Sequence, residues 1–287
     1  MVTEYKSLWL MLAEQEFCQR WLDVGGVRTR VATAGPEDGH PVILLHGTGG
    51  HWETFAPTIP ALSQTYRCIA IDMIGNGFTD KPDYDYEISV YVDHVRGVMA
   101  QLGVERAHFV GMSLGAWVSA KIAQQHPEVV DKVILMSPAG LIATKDNMAR
   151  IRAERTKAVE DPSWDSIKAM FVHLIAEEER RLPDLIALRQ TIYRRPDTRS
   201  TIDHLLALQN YETRERNLLS PEQWGQISAP TMVVASGKDH GEYQSTAWQV
   251  AGLIPHAEVF EMPEVRHWPH FEDPDLFNPA AVEFLGR

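Results

Sequence analysis

Ser113 in GMSLG (111–115), Asp239 in SGKDH (236–240) and His267 in RHWPHFED (266–273) are of the three types that together turn a hydroxyl into a nucleophile. A serine hydroxyl is a poor nucleophile near neutral pH. It needs an imidazole to take its proton, and the imidazole needs a carboxylate to fix its tautomer and orientation. The chain order Ser, acid, His is one of the orders in which this constellation occurs.

Each member has a plainer reading. Two glycines around a serine recur by chance, so G-x-S-x-G gains weight only from its setting. Here the motif follows the apolar run HFVGM (108–112) and opens an Ala-rich stretch, a strand-turn-helix context that exposes the serine. Asp239 follows TMVVAS (231–236), where it is otherwise a solvated turn residue. His267 lies five residues past AEVFEM (257–262), so its loop leaves the same sheet edge as Ser113 and Asp239. His270 sits closer to a helix that Asp273 and Pro274 start as N-cap and N1, and is expected to be a capping or surface histidine.

An attacked carbonyl also needs donors aimed at the developing oxyanion. The backbone N–H of Leu114, directly after Ser113, is the first. The second is assigned to the N–H of Thr48 in HGTGG (46–50), after the run VILLH (42–46). Taken alone, HGTGG is equally a tight turn.

These residues must be held by elements that bring distant stretches together. Short β-branched runs at 42–46, 67–73, 108–112, 129–137, 231–236 and 257–262 predict buried strands, with helices over 91–103 and 116–127 between them. QRWLDV and VRTRVATAG around Gly25-Gly26 predict an antiparallel hairpin at one edge. The sum is an α/β fold with a mostly parallel eight-stranded sheet and helices on both faces. The alternation stops after SPAGL (137–141) and resumes at SAPTMVVAS (228–236). The core is therefore assigned to 1–140 and 218–287, and the all-helical 141–217 to a lid.

Composition narrows the class. With 44% apolar and 23% charged residues the chain reads as globular, and its apolar runs are too short to cross a bilayer. No secretory signal is evident, which predicts a cytoplasmic protein. A net charge of −12 disfavours nucleic acid and anionic membranes as partners. Cys18 and Cys68 offer neither a disulfide framework nor a metal cluster, and both are expected to be reduced and structural. No cofactor is called for; the expected partner is a small acidic molecule with an apolar or aromatic portion. A homodimer is left open.

In family order, HGTGG, AIDMIGNGFTDKP, GMSLG, SGKDH and RHWPHFEDP resemble the α/β-hydrolase family over nearly the whole chain. Within it the sequence is most similar to the meta-cleavage product hydrolases, which break a carbon–carbon bond in products of ring-opening dioxygenases. Trp268, immediately after the histidine, and Arg189, in LIALRQTIYRRP, carry that narrower resemblance. It implies a 2-hydroxy-6-oxo-dienoate substrate contacted by both. Read without the family, Arg189 shares a helical stripe with Leu185, Ile186, Ile192 and Tyr193, so it either faces the space under the lid or snorkels to a carboxylate. Trp268 is otherwise a space-filling ring. Met148, Trp164, Phe171 and Leu174 suggest an apolar acyl pocket, although such stripes also build cores.

The resemblance has departures. Met112 stands where these hydrolases commonly have Asn, and Gly115-Ala116 where they have Gly-Gly. A carboxylesterase or lactonase therefore remains the alternative, with a non-catalytic receptor of the same fold as the reading from another class.

Overall fold

A computed structural model describes residues 6–239 and 241–287. Eight strands form one sheet: β1 (Phe17–Val24), β2 (Val27–Ala34), β3 (Pro41–Leu45), β4 (Arg67–Ile71), β5 (Ala107–Met112), β6 (Val130–Met136), β7 (Thr231–Ser236) and β8 (Ala257–Met262), in the order β1-β2-β4-β3-β5-β6-β7-β8. β1 and β2 form the antiparallel hairpin at one edge, and β2 meets β4 antiparallel. Every pairing from β4 through β8 is parallel. β5 and β7 are buried throughout, as strands covered on both faces should be.

Helices α1 (Ile88–Gln101) and α2 (Leu114–Gln125) belong to the crossovers around β5. Between β6 and β7 the described chain contains helices and no strand, among them α3 (Lys145–Glu160), α4 (Trp164–Phe171), α5 (Pro183–Tyr193) and α6 (Tyr211–Asn217). Helix α7 (Gly241–Leu253) follows β7. After β8 come the short α8 (Pro269–Glu272) and α9 (Pro274–Gly286). The Asp273 side chain accepts from the Leu276 N–H and Pro274 opens α9, as the cap signal predicts.

Two expectations need correction. His270 is fully buried between the rings of Phe55 (centroids 4.8 Å apart) and Phe277 (6.1 Å), because α8 turns it inward. Burial pushes its pKa down to about 3, so it is a neutral core ring. Cys18 is exposed on the edge strand, where it packs no core; Cys68 is buried, which pushes its thiol up to about 12.

Candidate active site

Ser113 sits at the sharp turn from β5 into α2, with φ 55° and ψ −111°. That left-handed φ is unfavourable for a residue with a Cβ, and packing holds it there. A Cβ on Gly115 would stand 2.0 Å from the Leu45 carbonyl oxygen, and one on Gly111 2.3 Å from that of Gly115. Both motif glycines thus let α2 press against β3 and β5. The Ser113 N–H donates to the Met136 carbonyl at 2.9 Å, which ties the turn to β6.

Asp239 and His267 come from the loops after β7 and β8. Backbone bonds lace those loops together, Gly237 N–H to Met262 O at 2.9 Å and Lys238 N–H to Val265 O at 2.8 Å. His267 Nδ1 then lies 2.9 Å from Asp239 Oδ2 and 3.2 Å from Oδ1, with both residues buried. A carboxylate so placed fixes the Nδ1–H tautomer and leaves Nε2 as the basic nitrogen. The Tyr243 ring meets the imidazole edge-on, centroids 4.4 Å apart. Ser113 and His267 line one cavity, together with Thr48, Leu114 and Trp268.

Leu114 is the first residue of α2, so its N–H has no acceptor within the helix and is available to an oxyanion. The loop carrying Thr48 is braced from both sides. The Gly49 N–H donates to Asn76 Oδ1 at 2.8 Å. His46 accepts the Met73 N–H on Nε2 at 3.1 Å, so its Nδ1–H donates to the Gly47 carbonyl at 2.7 Å. Burial lowers the His46 pKa to about 4, which keeps that tautomer neutral.

Arg189 is fully buried on α5, and none of its three guanidinium nitrogens has a hydrogen-bond partner among the described residues. It stands 5.6 Å from the centroid of Phe171 and 5.8 Å from that of Tyr193. A Cβ on Gly49 would be 3.9 Å from its Nη1, which places Arg189 against the HGTGG loop, whose Gly47, Thr48 and Gly50 line the cavity. Burial pushes its pKa down to about 10, which still leaves it charged at neutral pH. Trp268 is buried edge-to-face against Phe171 and Phe271, both 5.8 Å away between centroids. It fills space beside the histidine and presents a ring to the cavity at once.

Of the four residues expected to form an apolar pocket, Leu174 reaches the cavity wall. Met148 and Phe171 are buried away from it and Trp164 is exposed, because their stripes serve helix packing. The cavity wall is more polar than expected, with Arg150, Glu154 and Arg155 of α3, His173, Gln209 and Arg214. One other set of ligating residue types converges among the described residues: His40, His108 and Asp131, near the opposite ends of the strands. Arg106 already binds Asp131 there at 2.7 Å, and its charge opposes a cation.

Residues 40–274 match the family model described as alpha/beta hydrolase fold. The chain belongs to the α/β-hydrolase family. This hydrolase is 36% identical to the 2-hydroxymuconate semialdehyde hydrolase of Pseudomonas sp. (strain CF600), over 93% of this chain and 94% of the relative. It is 28% identical to the 2-hydroxy-6-oxo-6-(2'-aminophenyl)hexa-2,4-dienoic acid hydrolase of Metapseudomonas resinovorans, over 96% and 93%. Among solved structures, the meta-cleavage product hydrolase CumD of Pseudomonas fluorescens IP01 superposes with a TM-score of 0.81 at 27% identity, covering 96% of this chain and 98% of that one. No helix of the described residues is long and apolar enough to cross a membrane.

Sequence reasoning missed Asn76, Tyr243, Arg155 and Glu272. Glu272 accepts the N–H groups of Arg266 (2.8 Å) and Trp268 (3.4 Å), either side of His267, and that of Ala176 at 2.6 Å. The N–H of His267 itself donates to Leu174 O at 3.1 Å. The signal for Glu272 lay in RHWPHFED, where an acid five residues past the histidine reads only as part of a helix start. Its use depends on the tight turn of α8.

Proposed function

We propose that this hydrolase uses Ser113, His267 and Asp239 to cleave the carbon–carbon bond of a 2-hydroxy-6-oxo-dienoate, the kind of product left by ring-opening of a catechol. The observation that carries the reading is Arg189, a buried guanidinium with no carboxylate partner among the described residues, set against the loop that presents Thr48. A charge in that position calls for an anion. The carboxylate of a dienoate supplies it.

In this reading the dienol first becomes the keto form, with its acid end held by Arg189. His267 takes a proton from Ser113, or from a water, as the oxygen attacks the distal carbonyl carbon. The N–H groups of Thr48 and Leu114 stabilise the oxyanion. Its collapse breaks the carbon–carbon bond, and the dienoate fragment leaves as an enol once protonated. Where Ser113 attacked, water then hydrolyses the acyl-serine to a carboxylic acid; where water attacked, the collapse yields that acid directly. Asp239 keeps the imidazole oriented. Trp268 forms part of the wall against which the dienoate lies, and helices 141–217 serve as the cap over the site.

The test is loss of the coloured dienolate on mixing with enzyme, together with fluorophosphonate labelling of Ser113. Fast hydrolysis of simple esters with no bleaching would favour the carboxylesterase or lactonase reading, for which Met112 in the cavity wall speaks. Failure to label Ser113 would point to a receptor of the same fold.

A further inference from the structure

Arg189 is not the lone cation at its end of the site. Arg155, one turn beyond Ile151 on α3, reaches the cavity wall while being more than nine-tenths buried. Its Nη1 donates to the Tyr193 hydroxyl at 3.4 Å and approaches Met170 Sδ at 4.0 Å. Glu154, its neighbour in sequence, is engaged elsewhere, by Arg150 at 3.0 Å and His173 at 3.3 Å. Neither Arg155 nor Arg189 forms an ion pair with a described carboxylate. The Tyr193 phenol sits between them, one helical turn past Arg189, and a Cβ on Gly49 would lie 2.8 Å from its oxygen. Burial alone raises a phenol pKa, yet the two guanidiniums outweigh it and hold Tyr193 below its ordinary range.

Two buried guanidiniums beside one loop offer more N–H donors than a single carboxylate can accept from. We propose that Arg155 is a second anion-binding residue of the substrate site, spaced from Arg189 by the Tyr193 hydroxyl, and that the pair recognises a carboxylate together with the oxygen on the adjacent carbon. The site then selects 2-oxo and 2-hydroxy-2-enoic acids over plain carboxylic acids. The inference rests on the reading of the site given above and names what its acid end distinguishes. Tyr193 is a positioning residue in this arrangement.

Calorimetric titration of the whole protein with 2-oxopentanoate and with pentanoate tests the selection without requiring turnover. The wild type is expected to bind the 2-oxo acid at least ~10-fold more tightly, in line with an added charge-assisted hydrogen bond. Arg155→Met should erase that preference while pentanoate binding changes less than about 3-fold, and Arg189→Met should weaken both acids. Arg155→Lys keeps the charge without the planar fork and should retain part of the preference; it serves if the Met variant shows no native circular dichroism. Equal binding of the two acids by the wild type, absence of binding by either, or an undiminished preference in the Arg155 variants would overturn the proposal. Failure of the carbon–carbon cleavage reading shows separately, as a wild type that prefers the 2-oxo acid but never bleaches a dienolate.

Discussion

The Glu272 carboxylate accepts the backbone N–H of Arg266 at 2.8 Å, one residue before His267, and so fixes the loop from which the imidazole projects. The same carboxylate takes the Ala176 N–H from the helical segment, and Arg266 Nη1 returns a bond to the Val172 carbonyl. The histidine loop and the 172–176 turn are therefore one hydrogen-bonded unit. Glu272→Ala leaves the buried Trp268 N–H and the part-buried N–H groups of Arg266 and Ala176 without this acceptor, at up to about 1–3 kcal/mol for a buried one. The expected result is a melting temperature several degrees lower and a kcat reduced by more than about 10-fold, since a small misplacement of a catalytic base is costly. Dienolate bleaching and thermal melts of the variant check both, and an unchanged kcat would remove Glu272 from any positioning role.

Asn76 acts at the other side of the site. It receives the Gly49 N–H on Oδ1 and donates through Nδ2 to the Ile74 carbonyl at 2.8 Å, so it anchors the HGTGG loop to the chain following β4. Asn76→Ala frees the loop that presents the Thr48 N–H. Loss of one oxyanion donor costs on the order of 10²–10³ in kcat, and displacing one should approach the lower figure. In the role proposed for Thr48 the donor acts on the oxyanion, so kcat should fall with ester and dienolate alike while KM moves little. A change confined to KM would argue against this role.

Much of this architecture was legible from one sequence because strand runs, motif glycines and chain order are local signals. β5, the Ser113 turn and α2 form a continuous stretch whose period and glycines agree with each other. The loops of Asp239 and His267 follow β-branched runs that fix their sheet edge. His270 was misread because its burial depends on how α8 packs against Phe55, some two hundred residues earlier in the chain. Trp164 and Phe171 were grouped with Leu174 by apolar type, but helical spacing does not say which side of a stripe meets the cavity and which meets another helix. Arg155 was invisible for the same reason: on α3 it stands among other charges, and the approach of Tyr193 from α5 gives it a hydroxyl partner.

Gly115 offers a direct check on the turn. An added methyl group at this position would lie 2.0 Å from the Leu45 oxygen and 2.8 Å from that of His46, and both are backbone atoms that cannot swing aside. Gly115→Ala must push α2 away from β3 and carry Ser113 and Leu114 with it. Overpacking of this kind costs ~1–3 kcal/mol or more. The expected protein is poorly soluble or melts well below the wild type, and any folded fraction labels slowly with fluorophosphonate. Gly252→Ala, where nothing lies within 4 Å of an added Cβ, should behave like the wild type.

Acid should destabilise the fold beginning near pH 6.5, through histidines held neutral. Burial depresses the pKa of His46 and His94 to about 4 and that of His270 to about 3, from an ordinary value of 6.5. Below 6.5 the unfolded chain takes up protons at these positions and the folded chain does not. Stability therefore falls as pH falls through the window from 6.5 to about 4 or 3, and is fully retained above it. Each such ring contributes a slope of order 1 kcal/mol per pH unit within its window. His46 and His94 also bond backbone N–H groups, so replacing either mixes titration with lost hydrogen bonds. His270 is packed between Phe55 and Phe277, and His270→Phe tests the titration with the least polar disturbance. Denaturant unfolding at pH 7.5 and pH 5 should show the variant losing about 1–2 kcal/mol less than the wild type between the two pH values, whatever its absolute stability. Parallel losses in the two proteins would mean that His270 takes up its proton in the folded state as readily as in the unfolded chain.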